Sequence, residues 1–346
     1  MKILITGGAG FIGSNFIRYF LKRYPDYQLV NLDLLTYAGN PDNLKEVGNH
    51  PNYRFIQGNI GDQNLVETLL AEGIDMLVNF AAESHVDRSI IGPGLFVHSN
   101  VLGTLVLLEA AKNQQIKKFL QVSTDEVYGS LEAKGCFTEE SPLAPNSPYA
   151  ASKAAADLLV RAYHQTFKLP MNITRCSNNY GPYQFPEKLI PLLVTHALED
   201  KELPIYGDGL NIRDWLHVED HCSALDLVLH KGIPGEIYNI GGRNEQTNLE
   251  IVRRILAILK KPESLIHYVQ DRLGHDRRYA IDSTKLQKSL GWLPQHKFDL
   301  GLEETVHWYV RNQDWWQRIL SGDYQHQSHS QSQSESTSDK GNLLQV

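Results

Sequence analysis

A glycine-rich turn close to the beginning of this chain restricts its possible folds more than any other segment. The sequence GGAGFIG covers residues 7–13, and its glycines at 7, 10 and 13 are spaced G-x-x-G-x-x-G. A short apolar strand, 3–6, precedes the turn, and residues 11–23 carry apolar positions at helical spacing. Small residues here permit a tight turn and close packing of the helix on the strand. The pattern predicts the first strand and helix of a parallel α/β sheet.

The same turn is a candidate site for a dinucleotide. A helix that begins at such a turn presents unpaired N–H groups, which bind phosphate. Asp33 ends the next predicted strand, 28–32, where a carboxylate can accept hydrogen bonds from the ribose hydroxyls of adenosine. Because that carboxylate would repel a 2′-phosphate, the sequence predicts NAD rather than NADP. The alternative is a purely structural turn, with Asp33 as a helix cap.

Strands and helices are predicted to alternate through the first half of the chain. The predicted strands are 3–6, 28–32, 53–57, 76–80, 119–122 and 171–175, and the predicted helices are 11–23, 64–70, 101–111 and 150–167. This order is typical of a Rossmann-type, doubly wound parallel sheet with helices on both faces. After about residue 176, prolines divide the sequence into short elements, which predicts a smaller, irregular α/β region over the carboxyl edge of the sheet.

Three segments follow from this pattern. We expect an NAD-binding Rossmann domain over 1–176, with segments around 214–230 returning to it, and a second, smaller region over 177–320. Residues 322–346 are rich in Gln, Ser and His. Such a polar stretch of low complexity cannot bury a core, so we predict a disordered tail there.

Composition argues against several classes of protein. The 346 residues carry a formal net charge of −7, which disfavours a nucleic-acid binder, since these proteins are usually basic. The cysteines, Cys136, Cys176 and Cys222, form no CxxC pair, so we predict neither a disulfide framework nor a bound metal. The sequence shows neither a signal-peptide pattern nor an apolar run of about 18 residues. The expectation is a cytoplasmic protein without a membrane segment.

Two short motifs carry the candidate chemistry. Tyr149 and Lys153 lie four residues apart on one face of a predicted helix, and the charge of Lys153 can lower the pKa of the phenol. This pair suits removal of a proton from an alcohol as hydride leaves. Thr124, Asp125 and Glu126 place two carboxyl groups beside a hydroxyl, which suits taking a proton from carbon and protonating a departing hydroxyl. Together the motifs predict a redox-assisted elimination of water.

These motifs resemble those of the extended short-chain dehydrogenase/reductase family and, within it, of the nucleotide-sugar dehydratases. The segments that carry the resemblance are TGGAGFIGS at 6–14, DLLTYAGN at 33–40, AAESHVDRS at 81–89, STDEVYG at 123–129, PYAASK at 148–153, CSNNYGPY at 176–183, FPEKLIP at 185–191, RDWLHVED at 213–220 and GHDRRYAID at 274–282. They cover the chain to about residue 320. Asp125 and Glu126 distinguish the dehydratases from related epimerases, which carry small neutral residues at these two positions.

The resemblance implies an NAD-dependent nucleotide-sugar 4,6-dehydratase that acts on dTDP-glucose and regenerates its tightly bound NAD in each turnover. It also implies that the region 177–320 mainly binds the nucleotide sugar. Tyr149, with Lys153 and Thr124, would act at the sugar 4-hydroxyl. Glu126 would remove the C5 proton, and Asp125 would protonate the leaving 6-hydroxyl. Hydride would return to C6.

The resemblance also implies two sets of binding residues. Those implied to contact NAD are Gly7, Gly10, Phe11, Ile12, Gly13, Asp33, Leu34, Leu35, Thr36, Asn59, Ile60, Phe80, Ala81, Ala82, Ser84, Ser99, Tyr149, Lys153 and Asn179. Those implied to bind the nucleotide sugar are Ser84, His85, Thr124, Asn178, Lys188, Leu189, Pro204, Tyr206, Arg213, Asn248, Arg272 and His275. The chain departs from the family pattern at Asn59, Ser99 and Leu273, where the family usually has Asp, Thr and Pro.

Alternatives to this function remain open at the level of sequence. Within the same fold, the chain could be an epimerase, a decarboxylase or a dehydratase of another nucleotide sugar. A non-catalytic NAD-binding regulator is a second class, although all of the candidate catalytic residues are present. Helices 101–111 and 150–167 carry apolar residues on more than one face. With the family resemblance, this predicts a homodimer that pairs through helices.

Overall fold

A seven-stranded parallel sheet forms the centre of the molecule, in a computed structural model that describes residues 1–324. The strands are β1 (Lys2–Thr6), β2 (Gln28–Asp33), β3 (Tyr53–Gln57), β4 (Met76–Asn79), β5 (Lys118–Thr124), β6 (Met171–Cys176), β7 (Asn178–Tyr180), β8 (Leu203–Tyr206), β9 (Ile212–His217), β10 (Ile237–Ile240), β11 (Glu245–Thr247) and β12 (Ile266–Val269). Their order in the sheet is β10-β6-β5-β4-β1-β2-β3, with every neighbouring pair parallel.

Helices cover both faces of this sheet. They are α1 (Phe11–Arg23), α2 (Gln63–Ala71), α3 (Val86–Ile91), α4 (Pro93–Phe96), α5 (Gly103–Asn113), α6 (Pro148–Phe167), α7 (Leu189–Leu198), α8 (Val218–Lys231), α9 (Asn248–Leu259), α10 (Thr284–Leu290), α11 (Phe298–Arg311) and α12 (Gln313–Ser321). Helices α1 and α8 pack together on one face, and α2, α5 and α6 pack on the other. The prediction of a Rossmann-type, doubly wound α/β sheet is confirmed.

Local sequence explains where the predicted helix bounds differ from the structure. Helix α6 begins two residues before the predicted start, because Pro148 occupies its first position and the Ser147 hydroxyl accepts a hydrogen bond from the Ala150 N–H. The predicted helix 101–111 is the end of a longer stretch. Residues 93–113 are helical throughout and contain one π-helical segment, Val97–Leu102, which a regular 3.6-residue period does not predict.

The stretch 93–113 is also long and apolar enough to cross a membrane, judged by length and composition alone. In the fold, however, Leu107 and Leu108 are fully buried in the core beside the sheet. A core helix of a soluble protein passes the same test, and this packing favours that interpretation.

The C-terminal region has a core of its own and shares elements with the main sheet. Helices α7, α9 and α11 bury apolar residues against α12 and the strands β8 and β9. The chain returns to the Rossmann part through α8, which packs on α1, and through β10, which pairs with β6. The sequence predicts a tail from residue 322, but Tyr324 is buried against the body of the protein. Residues 325–346 lie outside the described residues.

Candidate active site

The glycine turn brings β1, α1 and β4 closer together than larger residues would allow. A Cβ atom on Gly7 would lie 2.6 Å from the Ala81 nitrogen, and one on Gly13 would lie 2.5 Å from the Gly7 oxygen. Gly7 also has a φ of 72°, which favours glycine. At Gly10, by contrast, the nearest atom to an added Cβ is 3.4 Å away. The turn therefore leaves open space above Gly10, at the N-terminus of α1, where a phosphate group fits.

Asp33 is fixed at the end of β2 by the turn itself. Its Oδ2 accepts a hydrogen bond from the Ala9 N–H and its Oδ1 from the Leu35 N–H, each at 2.8 Å. Burial raises the pKa of this carboxyl, and the two backbone donors oppose that rise. Leu35 has a φ of 56°, and its backbone N–H is one of the two donors that hold Asp33. Leu35 does not line the adjacent cleft.

An open cleft of about 1590 Å³, including its mouth, runs along the carboxyl ends of the strands. It is lined by all but one of the residues predicted to contact NAD: Gly7, Gly10, Phe11, Ile12, Gly13, Asp33, Leu34, Thr36, Asn59, Ile60, Phe80, Ala81, Ala82, Ser84, Ser99, Tyr149, Lys153 and Asn179. Leu35 is the exception. The space above Gly10, the carboxylate of Asp33 and a cleft lined from Asn59 to Asn178 fit a dinucleotide.

The predicted acid pair sits at the end of the strand β5. Residues Asp125–Tyr128 form a short 3₁₀ helix, capped by the Thr124 hydroxyl, which accepts from the Glu126 N–H at 3.3 Å. Burial, Glu126 and then Asp214 raise the pKa of Asp125 well above its usual value. Burial also raises the pKa of Glu126, but cationic neighbours oppose it. The surroundings thus disfavour ionisation more strongly at Asp125 than at Glu126, which suits Asp125 to the role of acid and Glu126 to that of base.

Tyr149 and Lys153 reach the same cleft from the first turns of α6. The Lys153 ammonium donates to the Val122 carbonyl at 2.8 Å. Burial raises the pKa of Tyr149 well above 10, Glu126 and Cys176 add to the rise, and a hydrogen bond with Thr124 opposes it. In this structure burial therefore outweighs any lowering of the phenol pKa by Lys153.

The residues predicted to bind the nucleotide sugar divide into two groups. Ser84, Thr124, Asn178 and Lys188 line the cleft. His85, Leu189, Pro204, Tyr206, Arg213, Asn248, Arg272 and His275 do not line it. Of this second group, Arg213 and Arg272 lie close enough to lower the pKa of Glu126, as does Lys188. Positive charge therefore surrounds the substrate side of the acid pair.

Several contacts fix the second group in place. Arg213 donates to the Asp276 carbonyl at 3.0 Å and lies over the ring of Tyr279. Arg272 pairs with Asp87, with 3.6 Å between Nη1 and Oδ1. His85 pairs with Glu187 at 3.4 Å, between Nε2 and Oε2.

Asn100 is a site residue that the sequence motifs do not reveal. Its amide exchanges hydrogen bonds with the backbone of Glu83, accepting at 2.8 Å and donating at 3.0 Å. The same Nδ2 donates to the Ser152 hydroxyl at 2.8 Å. Asn100 thereby joins the loop after β4 to the helix of Tyr149. Its neighbours His98 and Ser99 are also polar, so the sequence gives no signal that distinguishes Asn100.

One group among the described residues could offer three ligand atoms to a metal: His217, Glu219 and His296, within 4.8 Å of one another. The two imidazoles are stacked, with ring centres 4.0 Å apart, and His296 lies 3.0 Å from Asp220. Hydrogen bonds to Asp220 and Glu219 raise the pKa of His296 to about 10. A protonated His296 already balances these carboxylates, so we interpret the group as an ion-pair cluster. The absence of a metal stays a prediction.

Comparison with known proteins identifies the family. A family model described as GDP-mannose 4,6 dehydratase matches residues 4–305. The chain belongs to this family. It is 54% identical over 340 residues to a dTDP-glucose 4,6-dehydratase of Xanthomonas campestris pv. campestris (strain B100), covering 93% of this chain and 96% of the relative. It is 48% identical to the enzyme of that name from Escherichia coli, with 94% and 98% covered.

Solved structures of similar proteins agree with the fold described above. The dTDP-glucose 4,6-dehydratase of Bacillus anthracis str. Ames in complex with NAD has 55% identity and a TM-score of 0.87, with 92% of this chain and 99% of that chain covered. A UDP-glucose 4-epimerase from Thermotoga maritima has 29% identity and a TM-score of 0.84, with 90% and 99% covered. The resemblance inferred from the motifs, to nucleotide-sugar dehydratases of the extended short-chain dehydrogenase/reductase family, is confirmed.

Proposed function

We propose that this chain is an NAD-dependent dehydratase that converts dTDP-glucose into dTDP-4-keto-6-deoxyglucose and water. The observation that carries the proposal is one cleft that holds both the Tyr149–Lys153 pair and two carboxyl groups with different surroundings. An epimerase has no need of an acid for a leaving hydroxyl. The names of the relatives, at about half identity over nearly the whole chain, support the same activity.

The glycine turn, Asp33 and the loop after β4 are the parts of the chain that would hold NAD. When bound, NAD accepts a hydride from C4 of the sugar and later supplies it to C6. The unpaired N–H groups at the start of α1 would bind its phosphates. Asp33, already oriented by two backbone donors, would accept from ribose hydroxyls.

Proton removal at the sugar 4-hydroxyl is assigned to Tyr149. Its neutral phenol, raised in pKa by burial, must ionise to act as a base. The Thr124 hydroxyl, which hydrogen-bonds the phenol in this structure, favours the ionised form and would also hold the sugar oxygen. The ammonium of Lys153, one turn along α6, stabilises the same negative charge.

The elimination is assigned to the acid pair. Glu126 takes the proton from C5, which the neighbouring 4-keto group makes acidic. Asp125 gives its proton to the 6-hydroxyl as the C6–O bond breaks, so that the product leaves as water. After hydride has reached C6, Glu126 would return a proton to C5, which restores both the C5–H bond and the ionised carboxylate. The proton exchanged at C5 and the proton given to the leaving hydroxyl thus pass through separate carboxyls.

The diphosphate of the substrate is placed beside the cations that surround Glu126. Lys188, Arg213 and Arg272 are the three residues that lower its pKa. A guanidinium matches two phosphate oxygens at once, which suits Arg213 and Arg272 to a diphosphate.

The proposal is tested with purified protein in deuterium oxide, dTDP-glucose and no added reductant. We expect the product to lose one water and to carry one deuterium at C5, as measured by mass spectrometry and NMR. A galactose product without loss of water would instead indicate an epimerase. Turnover of UDP-glucose or GDP-mannose, but not of dTDP-glucose, would indicate a dehydratase of a different nucleotide sugar.

We also propose a homodimer and a cytoplasmic location. Exposed apolar residues on the helices beside the cleft, Ile91, Leu95, Val97, Leu102 and Leu158, support pairing of two chains there. All of the cysteines are unpaired, which suits a reducing compartment.

A further inference from the structure

A third ionisable residue continues the row of Tyr149 and Lys153 along α6. Asp157 follows Lys153 by four residues, as Lys153 follows Tyr149, so the three side chains lie on one face of the helix. The exposed fractions of the three residues fall from 9% to 4% and then 1%. Asp157 is therefore behind the catalytic pair, away from the cleft.

Asp157 is paired with a buried arginine on the next strand. The Nε of Arg175 in β6 donates to Asp157 Oδ2 at 2.9 Å, and Arg175 is itself only 3% exposed. Arg175 also donates to the Tyr128 hydroxyl at 3.0 Å, and Tyr128 in turn donates to Asn239 at 2.8 Å. Burial raises the pKa of Asp157, and Arg175, fixed by this network, is the largest influence that opposes the rise and favours the ionised form.

Lys153 needs such a neighbour because it is buried. Burial lowers the pKa of its ammonium, and Asp157 is the largest influence in the opposite direction. The Val122 carbonyl, its hydrogen-bond acceptor, carries no net charge. Without a fixed negative charge, a buried lysine tends to lose its proton and with it the charge that assists Tyr149.

We propose that Asp157, kept ionised by Arg175, is a positioning residue that holds Lys153 in its protonated state beside Tyr149. The inference rests on the proposed function, in which the charge of Lys153 assists proton removal by Tyr149. The buried Asp157–Arg175 pair is thus part of the catalytic apparatus as well as of the core.

The other ionisable groups around Lys153 act less strongly or remain neutral. On β6, Cys176 faces Lys153, but burial raises the pKa of its thiol to about 12. On α6, Tyr149 is neutral before the reaction. At the end of β5, Asp125 is held protonated by burial and by Glu126. Of these groups, Asp157 is the one that combines an adjacent arginine, which favours its ionised form, with the largest influence on Lys153.

The test compares the pH dependence of kcat in the wild-type holoenzyme and in Asp157→Asn. Loss of Lys153 protonation defines the basic limb of the profile, so we expect this limb to move to lower pH by about one unit in Asp157→Asn. Asp157→Glu, which keeps the charge, should leave the limb near its wild-type position. A lower kcat or Tm with an unmoved basic limb would show that Asp157 is only structural.

Because Asp157→Asn leaves Arg175 buried without its partner, the variant could fail to fold. Asp157→Asn/Arg175→Gln removes both charges and keeps the test available. If both variants fold, the basic limb of the double variant should lie at a pH between those of Asp157→Asn and the wild type. If only the double variant folds, its basic limb should lie at a lower pH than that of the wild type. A limb that coincides with the wild type in the double variant would overturn the proposal.

A second measurement does not depend on the substrate. The rate at which acetic anhydride labels Lys153, followed by mass spectrometry across a pH series, reports its protonation, with exposed lysines of the same sample as an internal reference. We expect the labelling midpoint to fall by about one pH unit in Asp157→Asn. An unchanged midpoint would overturn the role of Asp157, whereas lack of dTDP-glucose dehydration with a shifted midpoint would overturn only the proposed function.

Discussion

Asp125 and Glu126 are adjacent in sequence, yet their surroundings differ. Asp125 is 2% exposed and faces two further carboxyl groups, Glu126 and Asp214, which disfavour its ionised form. Glu126 is surrounded by cations, which favour its ionised form. Both residues lie in the 3₁₀ helix, where successive side chains point about 120° apart, so the two carboxyl groups face different surroundings. Two carboxyl groups can therefore perform opposite proton transfers on one sugar.

Replacing the proposed base should stop chemistry at C5. We expect Glu126→Gln to lower kcat by about 10²- to 10⁴-fold and to abolish deuterium incorporation at C5 in deuterium oxide. In the wild type, activity should fall as the pH drops through the raised pKa of Glu126, since the carboxyl then becomes protonated. Exchange at C5 that persists in Glu126→Gln would assign the base to another residue.

Replacing the proposed acid should separate exchange from loss of water. Asp125→Asn keeps the size of the side chain but cannot donate a carboxyl proton. We expect its rate of dehydration to fall by about 10²- to 10⁴-fold, while C5 of the 4-keto sugar still exchanges its proton with deuterium oxide. NMR of the recovered sugar measures both events in one sample. Equal loss of exchange and dehydration would contradict separate roles for the two carboxyls.

Site residues that belong to short motifs could be predicted from the sequence. Residues whose role depends on contacts made in the folded protein were missed. The glycine turn, Asp33 and the catalytic motifs have fixed spacings, so they could be recognised without coordinates. Asn100 and Asp157 could not, because their importance depends on contacts with Glu83 and Arg175, which are distant in sequence. Leu35 was predicted as a contact of NAD; its backbone N–H supports Asp33, and the contact itself stays a prediction.

At the scale of elements, an ion-pair cluster joins the start of α8 to the loop before α11. His296 lies 3.0 Å from Asp220 and 3.5 Å from Glu219, and Asp220 also accepts from the backbone N–H of Gln295 and of His296. Both carboxylates lie in the first turn of α8, where the helix dipole also favours negative charge. The cluster thus connects the returning helix α8 to the C-terminal region.

Stability should depend on the protonation of His296. Its pKa is about 10 in the folded protein, against a usual value of 6.5. Because the folded-state pKa is raised, the contribution is full below pH 6.5 and is lost as the pH rises through 10. We expect the Tm difference between wild type and His296→Gln to be largest near pH 6 and to shrink towards pH 10. His307→Gln, on an exposed face of α11, is the control and should show no such trend.

The bounds of regular elements were predictable, whereas irregular ones were not. The helix 11–23 and the strand 53–57 match the structure at both ends, because their apolar spacing is regular. The turn of π-helix between α4 and α5 shifts the apolar period, so its first residues carried no helical signal. The order of strands in the small sheets depends on tertiary pairing, which local patterns do not encode.

At the scale of the whole molecule, the C-terminal helix α12 reaches back to the loop that borders the cofactor cleft. Arg318 pairs with Asp42 at 2.8 Å, and the Trp315 indole donates to Asn43 at 2.9 Å. Tyr324 donates to the carbonyl of Tyr37, a residue that lines the cleft. The far end of the chain therefore supports one wall of the cleft.

Weakening these contacts should loosen the bound cofactor. We expect Arg318→Ala/Tyr324→Phe to release NAD about three- to tenfold faster, since two contacts worth about 1 kcal/mol or less each are removed. The NAD content per chain after dialysis measures the effect. The control is Arg253→Ala, which removes an exposed ion pair between Arg253 of α9 and Glu263. Equal NAD content in the two variants would contradict this role of α12.

The exposed apolar helices predict how two copies of the chain associate. Ile91 is 87% exposed and Leu95 is 57% exposed on α3 and α4, and Leu158 is 54% exposed on α6, which packs against both helices. Exposed apolar residues on adjoining helices commonly mark an interface, because pairing removes them from water. We expect light scattering at micromolar concentration to give twice the chain mass of 39.2 kDa.

A charge placed on this face should separate the two copies. We expect Leu95→Arg/Leu158→Arg to give the mass of a single chain, because an arginine buried without a partner in an apolar interface costs more than the contact gains. Ile233→Arg introduces the same charge at another exposed apolar residue and should leave the dimer intact. A wild-type protein that has the mass of one chain would contradict the predicted dimer. A dimeric double variant would place the interface elsewhere, and the exposed face of α3, α4 and α6 would then lack an explanation.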